Sequence, residues 1–174
     1  MGEITDMEFR DVVAGRESVR KFSDKKPSEE QLAMILEAGR LAPTAYNKQP
    51  QRVYVLESAE ALSKMDEVHP CRYKAPVVLL VCGDRAVTPD LDGIPTAMID
   101  ASIAATHMLL AAYDAGVDSV WAGVFNPEET RKKFDLPDNM IPICFIDLGF
   151  RADDYKGNPQ HSKRNPLEMM VKRL

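Results

Sequence analysis

Arg16-x-Ser18-x-Arg20 sets two guanidinium groups and a hydroxyl at alternate positions of a short polar connection. Alternate residues of an extended segment point the same way, so all three can converge on one ligand. Guanidinium forks match phosphate oxygens and the hydroxyl adds a donor; a solvated polar loop is the competing reading. A second segment, Ala42-Pro-Thr-Ala-Tyr-Asn-Lys-Gln-Pro50, follows a helical stretch. Asn47 and Gln49 carry both donors and acceptors, which suits the edge of a planar heterocycle. Pro43 and Pro50 stiffen the backbone that holds them, as they also would in an ordinary helix–strand loop. In a third segment, Ser119-Val-Trp-Ala-Gly-Val124, the small Ala122 and Gly123 let a ligand approach the backbone amides. A strand with a glycine bulge reads the same way. The fourth, His161-Ser-Lys-Arg164-Asn-Pro166, is a basic knot in an acidic chain, or a solvated charge run.

Other chemistry is sparse. Cys71, Cys82 and Cys144 are odd in number and lack a C-x-x-C pair, which suits a reducing compartment and offers no zinc spacing. His107 lies in an apolar helical stretch and reads as a core or interface residue. His69 and His161 lie in polar loops and read as solvated, and Asp100 as a cap or an interface pair. There is no G-x-G-x-x-G fingerprint, so a nicotinamide would bind without a Rossmann domain. Net charge is −5 with a pI near 5.3. That argues against a nucleic-acid or anionic-membrane binder but leaves room for a local phosphate pocket. The start, MGEITDMEF, shows no signal-peptide pattern. The longest apolar stretch, 97–112, is broken by Asp100, Ser102, Thr106 and His107 and is too polar to span a bilayer. A cytoplasmic protein is expected.

These groups need a scaffold. The length of 174 residues, with 45 % hydrophobic and 28 % charged residues, suits one globular domain over 1–174. Thr5-x-x-Glu8 and Ser28-x-x-Gln31 are capping boxes that open helices. Strands are expected over 52–57, 76–82, 117–124 and 140–149. The continuous apolar run PVVLLVC marks the second as buried on both faces. Further helices are expected over 58–68, over 96–115 with Gly116 as a left-handed stop, and after Asn126-Pro127. The 96–115 helix is apolar around most of its circumference, which predicts burial on all sides, at the domain centre or a subunit interface. The tail, 151–174, has little core of its own and needs another surface to lie on. The element order predicts an α+β fold of three layers at most.

The sequence resembles the nitroreductase-like flavoproteins over nearly its whole length. RESVRKF, APTAYNKQP, DASIAATHMLLAA, GVDSVWAGVF, DLP at 135–137, DLGF and KRNPLE occur in the family's order. The resemblance implies a central, mostly antiparallel sheet flanked by helices, and a C-terminal tail that crosses to the partner subunit. It implies a homodimer that binds flavin mononucleotide (FMN) at its interface and is inactive as a monomer. Arg16, Ser18 and Arg20 would hold the FMN phosphate and ribityl, with Arg164 closing from the tail. Pro43, Thr44, Ala45, Asn47 and Gln49 would reach the flavin from the partner. Backbone of Trp121, Ala122 and Gly123 would lie by flavin N5 and O4. The activity implied is ping-pong hydride transfer from NAD(P)H, through the flavin, to a small electron-poor acceptor such as a nitroaromatic or quinone. Dehydrogenation, reductive dehalogenation, flavin breakdown and a non-catalytic FMN-binding dimer are the alternatives. Three features depart from the family. Gln51 stands where a tryptophan is frequent, the basic residue near flavin N1 and O2 has only Arg72 and Lys74 as candidates, and the 83–100 segment is short.

Overall fold

A computed structural model describes residues 7–174. The apolar run enters the sheet as β2 (Val77–Asp84), every residue of which is buried. It pairs with β1 (Gln51–Leu56) on one side and β4 (Met140–Gly149) on the other, and β3 (Asp118–Ala122) closes the order β1-β2-β4-β3. All three pairings are antiparallel. Pro142 cannot donate to a ladder. It sits at the register shift between β2 and β4, beyond the end of β3, where no donor is required.

Side-chain alternation on β2 divides the interior in two. Val77, Leu79 and Val81 face α2 (Glu29–Leu41) and α4 (Thr96–Asp114), packing with Ile35, Ala101, Ala105 and Met108. Val78, Leu80 and Cys82 face the opposite layer, with Val19, Phe22, Met65 and Phe145. That layer includes α3 (Ala59–Val68) and α5 (Pro127–Lys133). The fold is therefore the expected α+β arrangement of three layers. Gly39 of α2 lets it press on α4, since a Cβ there would meet Met108 at 2.8 Å.

Local signals behave as the sequence suggests in most places. Ser28 and Gln31 form a full capping box, Asn126 caps α5, and Gly116 stops α4 with φ +69°. Thr5 lies outside the described residues. Within them α1 (Phe9–Gly15) begins at Glu8, which makes no side-chain cap bond. Of the two placements expected for α4, the single chain does not give the domain centre. Only one side is buried; Met98 and Ile99 are exposed, and with Ser102, Ile103 and Thr106 they line an open hollow. Alanines fill much of the buried side together with Met108 and Leu109, while Met98 and Ile99 point away from the sheet.

Asp147 on β4 is fully buried in the second layer, between Val78 and Val120, and neither carboxylate oxygen has a partner among the described residues. Burial pushes its carboxyl up to about 8, partly opposed by the Arg72 guanidinium and reinforced by Asp66. The folded protein thus keeps a proton that the unfolded chain loses near pH ~4. The stabilisation is complete below that value and is lost as pH rises towards 8. Asp147→Asn is expected to remove this fall. It should raise stability at pH 8 by on the order of a few kcal/mol, read by urea unfolding at pH 5 and 8. Parallel pH profiles for the two proteins would contradict it.

Candidate functional site

The Arg16–Arg20 segment lies along the outer edge of β3. Ser18 forms a parallel bridge to Ser119, and the Val19 N–H donates to the Ser119 carbonyl at 3.1 Å. The fully buried Val19 side chain anchors the segment from below. Backbone groups of a strand alternate in direction, so Trp121 turns its own to the same edge as Ser119, and Gly123 follows just beyond the strand's end. Neither has a backbone partner outside β3 and β4 among the described residues. The guanidinium segment and the open amide edge, a hundred residues apart in sequence, are thus laid end to end.

Charge along this edge is deliberately unbalanced by geometry. Glu17 stands between the two arginines but points to Arg151 at 2.8 Å, and it also accepts from the Asn158 N–H at 3.2 Å. Arg151 in turn is held by Asp118 at 2.6 Å, and these carboxylates push its pKa up. Arginines 40, 52, 72, 85, 131 and 151 pair with carboxylates. Arg16, Arg20 and Arg164 pair with none among the described residues. Arg164 belongs to the tail, which is tied alongside the segment. The Tyr155 hydroxyl donates to the Ser18 carbonyl at 3.3 Å, and His161 Nε2 bonds to the Ala14 carbonyl at 2.9 Å. His161 is therefore half-buried and bonded rather than solvated, because the tail folds back onto the end of α1. Arg164 itself is exposed and, among the described residues, bonds only to the Gln160 and Lys163 carbonyls.

The second segment is a strained, protruding turn. Tyr46, Asn47 and Gln49 have φ of 51°, 55° and 54°, the left-handed region that side chains disfavour. Besides the bonds that close the turn on itself, three more hold it. Ala45 N–H donates to Asp100 Oδ1 at 3.1 Å, Gln49 N–H to Thr44 Oγ1 at 3.0 Å, and Arg52 to the Gln49 carbonyl at 2.9 Å. Asp100, in the first turns of α4, thus acts as the expected cap, with its Oδ2 buried and unpartnered. Pro43, Asn47 and Gln49 are exposed while Thr44 and Ala45 are half-buried.

One chain does not bring the two segments together. Asn47 and Gln49 precede β1, and Ser18 lies beyond β3, at opposite edges of the sheet. The register also places them near opposite strand ends, since Gln51 is level with Ile141 through Gly83, and Ser119 with Leu148. Strand spacing and rise put them roughly 30 Å apart.

Several other candidates are resolved. Arg72 is taken by Asp66 at 2.6 Å and by the Ala75 carbonyl at 2.8 Å. Lys74 is exposed and lines a hollow with Arg20, Lys21 and Tyr73. Gln51 turns inward, its amide donating to the Gly39 carbonyl at 3.4 Å. His107 is half-buried beside Phe9, Val12 and Leu110. His69, read from sequence as solvated, is 1 % exposed. It stacks on Phe145 and bonds to the Val124 carbonyl. A lone histidine before a proline carries no periodic signal of burial, so only the tertiary contacts reveal it. Asp84, buried at the end of β2, was also missed; it accepts from Asn139 at 2.6 Å and pairs with Arg52 at 3.5 Å.

Asp100→Ala is expected to free the Ala45 amide and loosen the strained turn. Losing a bond to a charged acceptor costs about 1.5–3 kcal/mol, so the Ala45 amide should exchange with deuterium at least about tenfold faster. Unchanged exchange would show that the turn is held elsewhere.

Comparison with known proteins agrees with this architecture. The Nitroreductase family profile matches residues 13–70 and 70–150. A Methanothermobacter thermautotrophicus protein, provisionally named NADH dehydrogenase/NAD(P)H nitroreductase, is 34 % identical over 161 residues, covering 88 % of this chain and 82 % of that protein. The crystal structure of a nitroreductase family protein from Clostridium difficile 630 superposes with a TM-score of 0.88 at 37 % identity, covering 95 % of this chain and 98 % of that one. A structure from Exiguobacterium sibiricum described as a nitroreductase in complex with FMN shares the fold, with a TM-score of 0.83 at 21 % identity over 97 % and 98 % of the two chains. The chain belongs to the nitroreductase family.

Proposed function

We propose that this chain is an FMN-dependent oxidoreductase that passes electrons from NAD(P)H to a small electron-poor acceptor such as a nitroaromatic or quinone. The observation that carries the reading is the β3 edge. Guanidinium groups that have no carboxylate partner among the described residues continue there into backbone donors and acceptors that have no strand partner among them. A dianionic phosphate and the polar rim of a flavin have the complementary chemistry. The donor set fits FMN, and the E. sibiricum neighbour is described with that cofactor. When bound, FMN supplies the redox chemistry, ping-pong hydride transfer through N5. Arg16, Ser18 and Arg20 grip the phosphate and ribityl, and Arg164 closes over them. The Trp121–Gly123 backbone orients the ring near N5 and O4. Lys74, beside Arg20, supplies positive charge towards N1 and O2 in place of Arg72. The name of the M. thermautotrophicus relative supports NAD(P)H as donor.

The working unit in this reading is a homodimer, each chain folding as a single domain over 1–174. The segment with Pro43, Thr44, Ala45, Asn47 and Gln49 is too far from its own β3 edge to share one ligand with it. It protrudes in a strained form and completes a partner's site. Met98 and Ile99 on α4, Phe9 on α1 and the tail residues Leu167, Met169 and Met170 are exposed apolar groups that a second subunit would cover. The tail crosses to the partner there. Among the described residues no helix is long and apolar enough to cross a membrane.

Purified protein should be yellow, and adding FMN to colourless protein should restore flavin absorbance. Arg16→Ala should weaken FMN binding by roughly tenfold to more than a hundredfold, the range for a lost charge-assisted contact. NAD(P)H oxidation should be stimulated by nitro compounds or quinones and should vanish in monomeric protein. Turnover with neither acceptor class, in protein that holds FMN, would leave other flavin chemistry on the same scaffold. Protein that binds no FMN would overturn the reading.

A further inference from the structure

Gly123 and Val124 continue beyond the end of β3, whose ladder with β4 stops at Ala122 opposite Phe145. Val124 is 84 % exposed. Its carbonyl nevertheless lies 2.9 Å from His69 Nδ1. A carbonyl only accepts, so Nδ1 carries the proton in this contact. The opposite nitrogen, Nε2, is buried without a partner among the described residues. The ring is fixed on its faces as well. It stacks on Phe145 with centroids 5.5 Å apart and 12° between planes, and meets Phe125 edge-on at 6.4 Å. Phe125 packs on Phe145 at 5.0 Å. The backbone of His69 is itself tied down, its N–H bonding to the Met65 carbonyl at 2.8 Å.

This places Gly123 between two fixed points, the Ala122–Phe145 rung before it and the His69–Val124 bond after it. Glycine is the residue whose backbone most needs such restraint. A buried nitrogen left without a partner is a cost that native proteins keep where it serves something else.

We infer that His69 is a positioning residue for the redox centre, donating from Nδ1 to the Val124 carbonyl so that the Trp121–Gly123 backbone edge keeps one orientation towards the flavin ring. The inference rests on the proposed site, and it assigns His69 no contact with cofactor or substrate. Edge groups aimed at N5 and O4 bond differently to oxidised and reduced flavin, so their orientation sets how tightly each is held. The phosphate grip, at the other end of the edge, does not depend on it.

Two substitutions separate the bond from the packing. His69→Phe keeps a stacking ring and removes the donor; His69→Asn keeps a donor near the Nδ1 position and removes the ring. In protein loaded with FMN, His69→Phe is expected to change the ratio of affinities for oxidised and reduced FMN about tenfold, which is about 30 mV in the two-electron midpoint potential. The dissociation constant for oxidised FMN should change less than about threefold. His69→Asn should return the potential towards the wild-type value even though it loses more thermal stability. Equal potentials in wild type and His69→Phe would overturn the inference, as would two variants that alter stability alone. Should His69→Phe fail to fold, nitrogen NMR of wild-type holoprotein decides the matter, because a proton on Nε2 instead of Nδ1 overturns it. Wild-type protein that takes up no FMN would fail earlier and differently, removing the site itself.

Discussion

The run Val77–Cys82 has no face that tolerates water, and this requirement arranges everything else. Each large aliphatic side chain is worth roughly 1.5–3 kcal/mol when buried, and β2 presents them on both sides. It must therefore occupy the middle of the sheet, with one layer of helices over Val77, Leu79 and Val81 and another over Val78, Leu80 and Cys82. Polar ligands are excluded from both sheet faces as a result. What remains are the sheet's two edges, and those are where the candidate segments lie: the 43–49 turn before β1 and the 16–20 segment beyond β3.

Both segments are polar, yet neither is a free loop. The 16–20 segment is fastened by Val19 beneath it, by the bridge to Ser119, and by the Arg151–Glu17–Asp118 cluster at its flank. That cluster does two things with two carboxylates and one guanidinium. It ties the tail to β3 and it draws Glu17 away from Arg16 and Arg20, so an acidic protein keeps local positive charge where an anion can meet it. The 43–49 turn is fastened by Asp100, Thr44 and Arg52 against left-handed strain. In both cases groups held by their own bonds and contacts fasten the segment and leave other polar groups ready for a ligand, which lowers the ordering cost of binding.

Much of the fold was legible in the sequence because its signals are local. Ser28 with Gln31, Asn126 with Pro127, and Gly116 act within one helical turn, and the boundaries of β4 follow from its own apolar run. The candidate site was legible in type: guanidinium groups, an amide-bearing turn and a glycine-bearing strand end. Burial was less so. His69 was misjudged, and α4 was left between the domain centre and a subunit interface, since residue type and periodicity report a helix's apolar character but not what covers each of its sides. Met98 and Ile99 look like core and are exposed; His69 looks like loop and is 1 % exposed.

The sequence by itself determined the family, the layered α+β plan, and which residue types are available to hold an anion and a heterocycle. Those properties reside in short stretches, where spacing and chemistry suffice. Tertiary structure alone decided which of them meet. It set Arg16 and Arg20 in line with the Trp121–Gly123 edge, kept Asn47 and Gln49 far from both, gave Arg72 to Asp66 while leaving Lys74 exposed, and enclosed His69 beneath Val124. The reason is physical. Strand order and register are fixed by burying β2 on two faces at once, a constraint that acts between residues remote in the chain and leaves no mark on any single motif.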